Sequence, residues 1–303
     1  MQPRIVFMGS PDFALPSLRR LAQDYPLAGV VTQPDRAAGR GRGLKSPPVK
    51  TLAQELGIPV IQPEKLHQPE AVEQLRAWAP DLIVVAAFGQ ILKPELLHLP
   101  QFGALNVHAS LLPRWRGAAP IQAAISSGDE ETGVTIMKMD PGLDSGPILS
   151  QRALRLTRDD TAGSVAEALS QLGADLLAET IPGYLSGQIK PIPQPTDGVT
   201  LAPTLKKEQG RLDFTRPADE LARRVRAFDP WPGTFMDFQD AALKVLRAHP
   251  AAGNAPAGKR MIFEDKPAVG SGDGLLVLDI VQMAGRKPVD GKSFLAGARD
   301  WEN

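Results

Sequence analysis

Leu82 to Ala87 reads LIVVAA, six residues without a polar side chain. A strand with one face in water alternates apolar and polar residues. A short run that is apolar throughout is the pattern of a central parallel strand covered by helices on both faces. The flanking chain repeats that theme. Ile5, Val6 and Phe7 form a buried strand that meets Gly9-Ser10-Pro11-Asp12 and a helix from about Phe13. Further strands are expected near Gly29 to Thr32, Pro59 to Gln62 and Gly133 to Met139. Helices are expected near Glu70 to Trp78 and Ala119 to Ser127, and from Thr161, where Val165, Leu169, Leu172 and Leu176 share one face. Repeated strand-helix alternation predicts an α/β fold, a doubly wound, Rossmann-like parallel sheet. The opening lacks the G-x-G-x-x-G spacing of a dinucleotide site.

After Gln188 the texture changes. Gln188 to Pro203 holds four prolines in sixteen residues, the composition of an extended linker. Beyond it lies one helical segment, Pro217 to Phe228. Short strand-like runs follow at Thr234 to Phe238, Ala242 to Ala248, Arg260 to Phe263 and Leu275 to Val281. This predicts a small C-terminal β-barrel, OB-like, over 204–303, joined by linker 188–203 to a first domain over 1–187.

Charge narrows the function. Lys plus Arg and Asp plus Glu both number 34, so recognition of a polyanion must come from a local patch. One patch stands out: Arg36, Arg40, Arg42, Lys45 and Lys50 fall in fifteen residues without an acid. Gly43-Leu44-Lys45-Ser46 is not a phosphate loop, because Leu44 breaks the Gly-Lys-Ser contiguity. What remains is a basic loop suited either to solvent or to a phosphate backbone. The absence of cysteine removes thiolate catalysis and Cys-ligated zinc, and the four histidines show no metal spacing, so no metal is expected. The N-terminus has no long apolar run, and a cytoplasmic protein with no membrane contact is expected. No heptad seam is present, so a monomer is the default.

Asn106-Val107-His108 ends an apolar approach and precedes the turn Ser110 to Pro113. On a strand Asn106 and His108 share a face. Taken alone, the pair favours a structural reading over a catalytic one, with Asn106 capping a turn and His108 a satisfied core histidine. Asp140 and Asp144, in the loop after Gly133 to Met139, change that balance. Both strands should present their carboxyl ends to one crevice, where ligands of such sheets bind. An amide, an imidazole and a carboxylate meeting there suit acyl transfer to an amine: a donor for the oxyanion, a proton shuttle and its support.

The runs NVHASLLPRWRGAAPIQ and TGVTIMKMDPGLDSGPIL resemble the formyltransferase family that uses 10-formyltetrahydrofolate. VFMGSPDFA, TQPDRAAGRGRGLKSPPVK, VVAAFGQIL, RAFDPWPGTF and GDGLLVL extend the resemblance over nearly the whole chain. The trio is shared with members that formylate glycinamide ribonucleotide or sugar-nucleotide amines. The basic loop and C-terminal domain point instead to members acting on initiator methionyl-tRNA. The resemblance implies Asn106, His108 and Asp144 as catalytic residues; the mechanism expected for them has Asn106 and protonated His108 stabilising the oxyanion, with Asp144 supporting His108. It implies that Ser110, Leu111, Leu112 and Pro113 line the folate site, and that Phe88, Gln90 and Ile91 help hold the pterin. Arg36, Arg40, Arg42 and Lys45 would touch the acceptor end of the tRNA, and tetrahydrofolate would be released. A sugar-nucleotide formyltransferase, a nicotinamide-dependent oxidoreductase and a non-catalytic RNA-binding module are the alternatives. Ala109, where the family commonly has glycine, and a tail ending soon after Trp301 are the departures.

Overall fold

The computed structural model describes residues 2–38 and 43–302. It divides into two compact units. The first comprises Met1–Gly117, Thr132–Arg155 and Ala166–Leu201, and the second Ala118–Glu131, Leu156–Val165 and Ala202–Asn303.

The first unit is built on seven strands: β1 (Ile5–Gly9), β2 (Leu27–Val31), β3 (Val60–Ile61), β4 (Leu82–Ala86), β5 (Ala104–His108), β6 (Glu131–Lys138) and β7 (Ile148–Arg155). Their order is β7-β6-β5-β4-β1-β2-β3. The five strands from β5 to β3 are parallel neighbours. The order reverses direction between β1 and β4, which opens a crevice at their carboxyl ends. Helices α1 (Leu15–Asp24), α2 (Pro48–Glu55) and α3 (Pro69–Trp78) carry the first crossovers, and α4 (Pro120–Ser127) lies between β5 and β6 in sequence. Strands β1, β4 and β5 are buried at every residue, as the apolar runs of β1 and β4 required. The long helix α5 (Ala162–Leu185) places Gly173 against β5, where a Cβ would come within 2.7 Å of a Val107 methyl.

The expectation of a parallel sheet fails at one strand. β6 pairs antiparallel to β5, with Asn106 opposite Met137 and His108 opposite Thr135. An apolar run reports that a strand is covered, and it says nothing of direction. β7 escaped the sequence reading because its solvent-facing side carries Gln151 and Arg155, which broke the apolar signal.

The second unit holds α6 (Ala218–Ala227), β8 (Thr234–Phe238), β9 (Ala241–Ala251), β10 (Arg260–Phe263), β11 (Lys266–Gly270), β12 (Leu275–Met283), β13 (Val289–Asp290) and α7 (Gly291–Gly297). The strands form an antiparallel sheet in the order β8-β9-β12-β11-β10, with β13 added to β12. Leu221 and Val225 of α6, Leu243 and Val245 of β9, and Leu276 and Leu278 of β12 share its core with Phe238, Phe294 and Trp301. The fold class is therefore a Rossmann-like sheet followed by a small antiparallel domain. Among the described residues, no helix is long and apolar enough to cross a membrane.

Candidate active site

Strand alternation turns Asn106 and His108 to one face of β5 and Val107 to the other, toward α5. Both polar side chains are nearly buried, 9% and 5% exposed. A buried imidazole and a buried amide need partners, and two loops supply them, the turn after β5 through Trp115 and the loop after β6 through Asp144.

That loop does not arrive as expected. Because β6 is antiparallel, its carboxyl end lies beside Leu105, at the start of β5 and away from the crevice. Residues 139–147 fold back. The Lys138 amide donates to the Pro147 carbonyl (2.9 Å), and the Met139 amide to the Ala104 carbonyl (2.8 Å). Gly146 passes so close to the Lys138 carbonyl that any Cβ would overlap it. Asp144 takes φ 46°, left-handed backbone that Asp tolerates better than most residues.

The return brings the carboxylate to both side chains. Asn106 Nδ2 donates to Asp144 Oδ1 at 3.4 Å, and the Gly117 amide donates to Oδ2 at 2.8 Å. His108 Nδ1 lies 3.6 Å from Oδ2, beyond a hydrogen bond but within reach of its charge. His108 Nε2 sits 3.1 Å from the Trp115 carbonyl, which can only accept, so Nε2 carries the hydrogen. Burial holds His108 below the ordinary imidazole range, while the Asp144 carboxylate and the Trp115 carbonyl pull the other way. A resting imidazolium is thus disfavoured, in contrast to the protonated His108 expected above. The neutral ring presents its Nδ1 lone pair toward a carboxylate, so a proton arriving there gains a partner at once.

Downstream, the Ser110 hydroxyl and the Ser110, Leu111 and Leu112 carbonyls of the turn are already engaged. Ser110 Oγ donates to the Arg114 carbonyl (2.7 Å), and Gln151 Nε2 donates to the Leu112 carbonyl (2.9 Å). Ser110 and Leu112 are buried, whereas Leu111 and Pro113 are half-buried. Phe88 to Ile91 follow β4, the parallel neighbour of β5, so they border the same edge. Phe88 is buried with its carbonyl held by Gln33 Nε2 (2.9 Å), and Gln90 is turned inward to Leu66 and Pro63. Ile91 is 86% exposed.

The basic loop leaves the carboxyl end of β2. Arg36 pairs across from Lys45 in a short antiparallel ladder, and both are exposed. Arg40 and Arg42 lie outside the described residues. At the loop's base Asp35 accepts from Gln62 Nε2 (2.7 Å), Lys50 Nζ (2.7 Å) and Ser46 Oγ (3.2 Å). These bonds, Gln62's foremost and then Lys50's, hold the Asp35 carboxyl below its usual range. Lys50, grouped with the loop's cations by sequence, is an ion-pair partner of Asp35.

Sequence reasoning missed the residues that frame the site. Gln194, inside the proline-rich segment, donates Nε2 to the carbonyls of Asp144 (2.8 Å) and Gly146 (2.7 Å). Its Oε1 accepts from Arg116 Nε (3.0 Å) and Nη2 (2.7 Å). Thr200 accepts the Trp115 amide at Oγ1 (2.8 Å) and the Arg116 amide at its carbonyl (2.9 Å). Arg114 stacks over the Trp115 ring at 4.2 Å. Proline content signals an extended chain, and no pattern in the segment marks which side chains reach the site.

The formyl transferase family matches residues 4–181, and the formyl transferase C-terminal domain matches residues 204–299. The methionyl-tRNA formyltransferase of Myxococcus xanthus is 50% identical over 98% of this chain and 95% of its own length. That of Halorhodospira halophila is 49% identical over 99% of this chain and 97% of its own. The chain belongs to the methionyl-tRNA formyltransferase family. Among solved structures, a sugar 3N-formyl transferase, WlaRD, covers 95% of this chain and 100% of its own, with a TM-score of 0.69 and 17% identity. At that identity the likeness speaks to the fold alone. The family assignment favours methionyl-tRNA over a sugar-nucleotide amine as the acceptor.

Proposed function

We propose that Asn106, His108 and Asp144 transfer the formyl group of 10-formyltetrahydrofolate to the α-amino group of initiator methionyl-tRNA, releasing tetrahydrofolate. The observation that carries this assignment of roles is the placement of His108 between an acceptor at Nε2 and a carboxylate at Nδ1, with the Asn106 amide beside it.

The donor supplies a formyl carbon already activated on nitrogen. An α-amine has a pKa of about 7.7–8.0, so a useful fraction is neutral and nucleophilic near neutral pH. As the new C–N bond forms, negative charge gathers on the formyl oxygen. Asn106 has a second amide hydrogen to give it, the first being directed at Asp144. His108, neutral at rest, takes the proton that the attacking nitrogen sheds. The resulting imidazolium is stabilised by Asp144, which Gly117 and Asn106 hold in place. His108 then gives that proton to the leaving folate nitrogen as the carbonyl re-forms. One proton enters and one leaves, so the residue ends as it began.

For the donor's ring system, we assign the surface bordered by Phe88 to Ile91 and by Leu111 and Pro113. Exposed Ile91 supports an apolar contact there, and Ser110 and Leu112 shape the wall behind it. Arg36, Arg40, Arg42 and Lys45 are assigned to tRNA phosphates near the acceptor end, with residues 204–303 as the tRNA-binding domain beyond linker 188–203. On this reading the chain acts in the cytoplasm as a monomer without a metal ion. The test is transfer of labelled formyl from 10-formyltetrahydrofolate to charged initiator tRNA. Label on methionyl-tRNA and none on uncharged tRNA is expected. Label on an amino-sugar nucleotide without any tRNA requirement would overturn it.

A further inference from the structure

We infer that Gln194 is a positioning residue for formyl transfer, holding with Arg116 the main chain that presents Asp144 to His108. This rests on the roles just assigned to His108 and Asp144.

The Gln194 amide is fully engaged. Its nitrogen faces the carbonyls of Asp144 and Gly146, and its oxygen faces two guanidinium donors of Arg116. Two acceptors on one side and two donors on the other admit only one orientation of the amide. The anchor is well placed. Arg116 lies between Trp115, whose carbonyl meets His108, and Gly117, whose amide meets the Asp144 carboxylate. A closed ring results: His108, residues 115–117, Gln194, the Asp144 backbone, and the Asp144 carboxylate facing His108. Asp144 is gripped at its carboxylate by Gly117 and at its carbonyl by Gln194. Its φ of 46° is left-handed backbone, and contacts at both its carboxylate and its carbonyl hold it there. Without Gln194 the carboxylate keeps its charge but loses its fixed distance to His108. The charged group facing His108 is Asp144, while the Arg116 guanidinium is turned to Gln194.

The test compares Gln194→Ala and Gln194→Glu in the full-length chain. Glutamate still accepts from Arg116 but cannot donate to the two carbonyls, so both variants should lose about 10–100-fold in kcat. KM for either substrate should change by less than about threefold. The acid limb of the kcat profile should move to lower pH, since an imidazolium with a displaced carboxylate is less favoured. In an Asp144→Asn background, adding Gln194→Glu should cause no further loss. Wild-type kcat in both variants, a loss with an unmoved acid limb, or additive losses in the double variant would each overturn the inference. Should Asp144→Asn itself retain normal kcat, the roles assigned to the trio fail. A normal Gln194→Glu beside an impaired Asp144→Asn removes only the role of Gln194.

Discussion

Gly117 and His108 address the same atom: the Gly117 amide donates to Asp144 Oδ2 at 2.8 Å, and His108 Nδ1 faces that oxygen from 3.6 Å. The amide is permanent, whereas the ring titrates. The carboxylate is thereby oriented before any proton reaches His108, and reorganisation during the reaction is small.

Asp144→Asn separates charge from shape. The asparagine oxygen can still accept from Gly117, but the negative charge is gone. Burial then acts on His108 unopposed by a carboxylate, so its pKa falls further. The acid limb of the kcat profile should move to lower pH, and kcat should drop by about 10²-fold or more. Titration of the His108 ring by NMR would check the direction; an upward shift would contradict it.

Asn106→Ala removes the oxyanion donor. Loss of one such donor costs roughly 2.7–4 kcal/mol, or about 10²–10³ in kcat. Steady-state kinetics with both substrates saturating measures it. A kcat close to wild type would remove Asn106 from the chemistry.

The sheet was legible because buried parallel strands announce themselves as unbroken apolar runs, and those of β1 and β4 are entirely apolar. The site was legible in part, since Asn106 and His108 fall two apart on β5. The route of Asp144 to them was not legible. Sequence pattern encodes burial, whereas the direction of β6 depends on pairing with β5, a contact between distant residues. Gln194 was hidden for a related reason: its partners are main-chain carbonyls, which have no sequence signature.

Arg40→Ala with Arg42→Ala should weaken binding of initiator methionyl-tRNA and flatten its dependence on salt. Each phosphate contact removed should lower the slope of log affinity against log salt by about 0.7–0.9. Binding isotherms at several salt concentrations check this, and an unchanged slope would dismiss the loop as a phosphate contact.

Asp35→Asn should lower thermal stability at neutral pH, because it weakens the clasp between Lys50, Ser46 and Gln62. Asp35 has a depressed folded-state pKa, so its contribution is present above the unfolded value of about 3.9. That contribution disappears as pH falls through the folded value. Melting curves of wild type and variant should therefore differ at pH 7 and converge in acid.

Trp301→Ala should destabilise the second unit by about 3–5 kcal/mol. The indole is 1% exposed, packs at 5.3 Å from Phe238 and 5.7 Å from Phe294, and donates Nε1 to the Met261 carbonyl at 2.8 Å. Trp301→Phe keeps most of the apolar contact and gives up only the indole's hydrogen bond, a smaller loss of about 0.5–1.5 kcal/mol. Chemical denaturation of both variants would rank them.

The first crossover, at Ser10-Pro11-Asp12, decides what else this architecture can accept. Sheets of this class commonly seat a pyrophosphate against the bare amides where the first helix begins. Here Pro11 has no amide hydrogen to offer, and Asp12 sets an exposed carboxylate in the opening turn. The Ser10 hydroxyl next to them already accepts from Thr32 and from the Gln33 amide. A diphosphate approaching this turn would meet the Asp12 carboxylate and find no amide hydrogen on Pro11. The chain therefore keeps the Rossmann-like scaffold with one amide donor fewer and one carboxylate more at the turn where such sheets commonly seat a diphosphate.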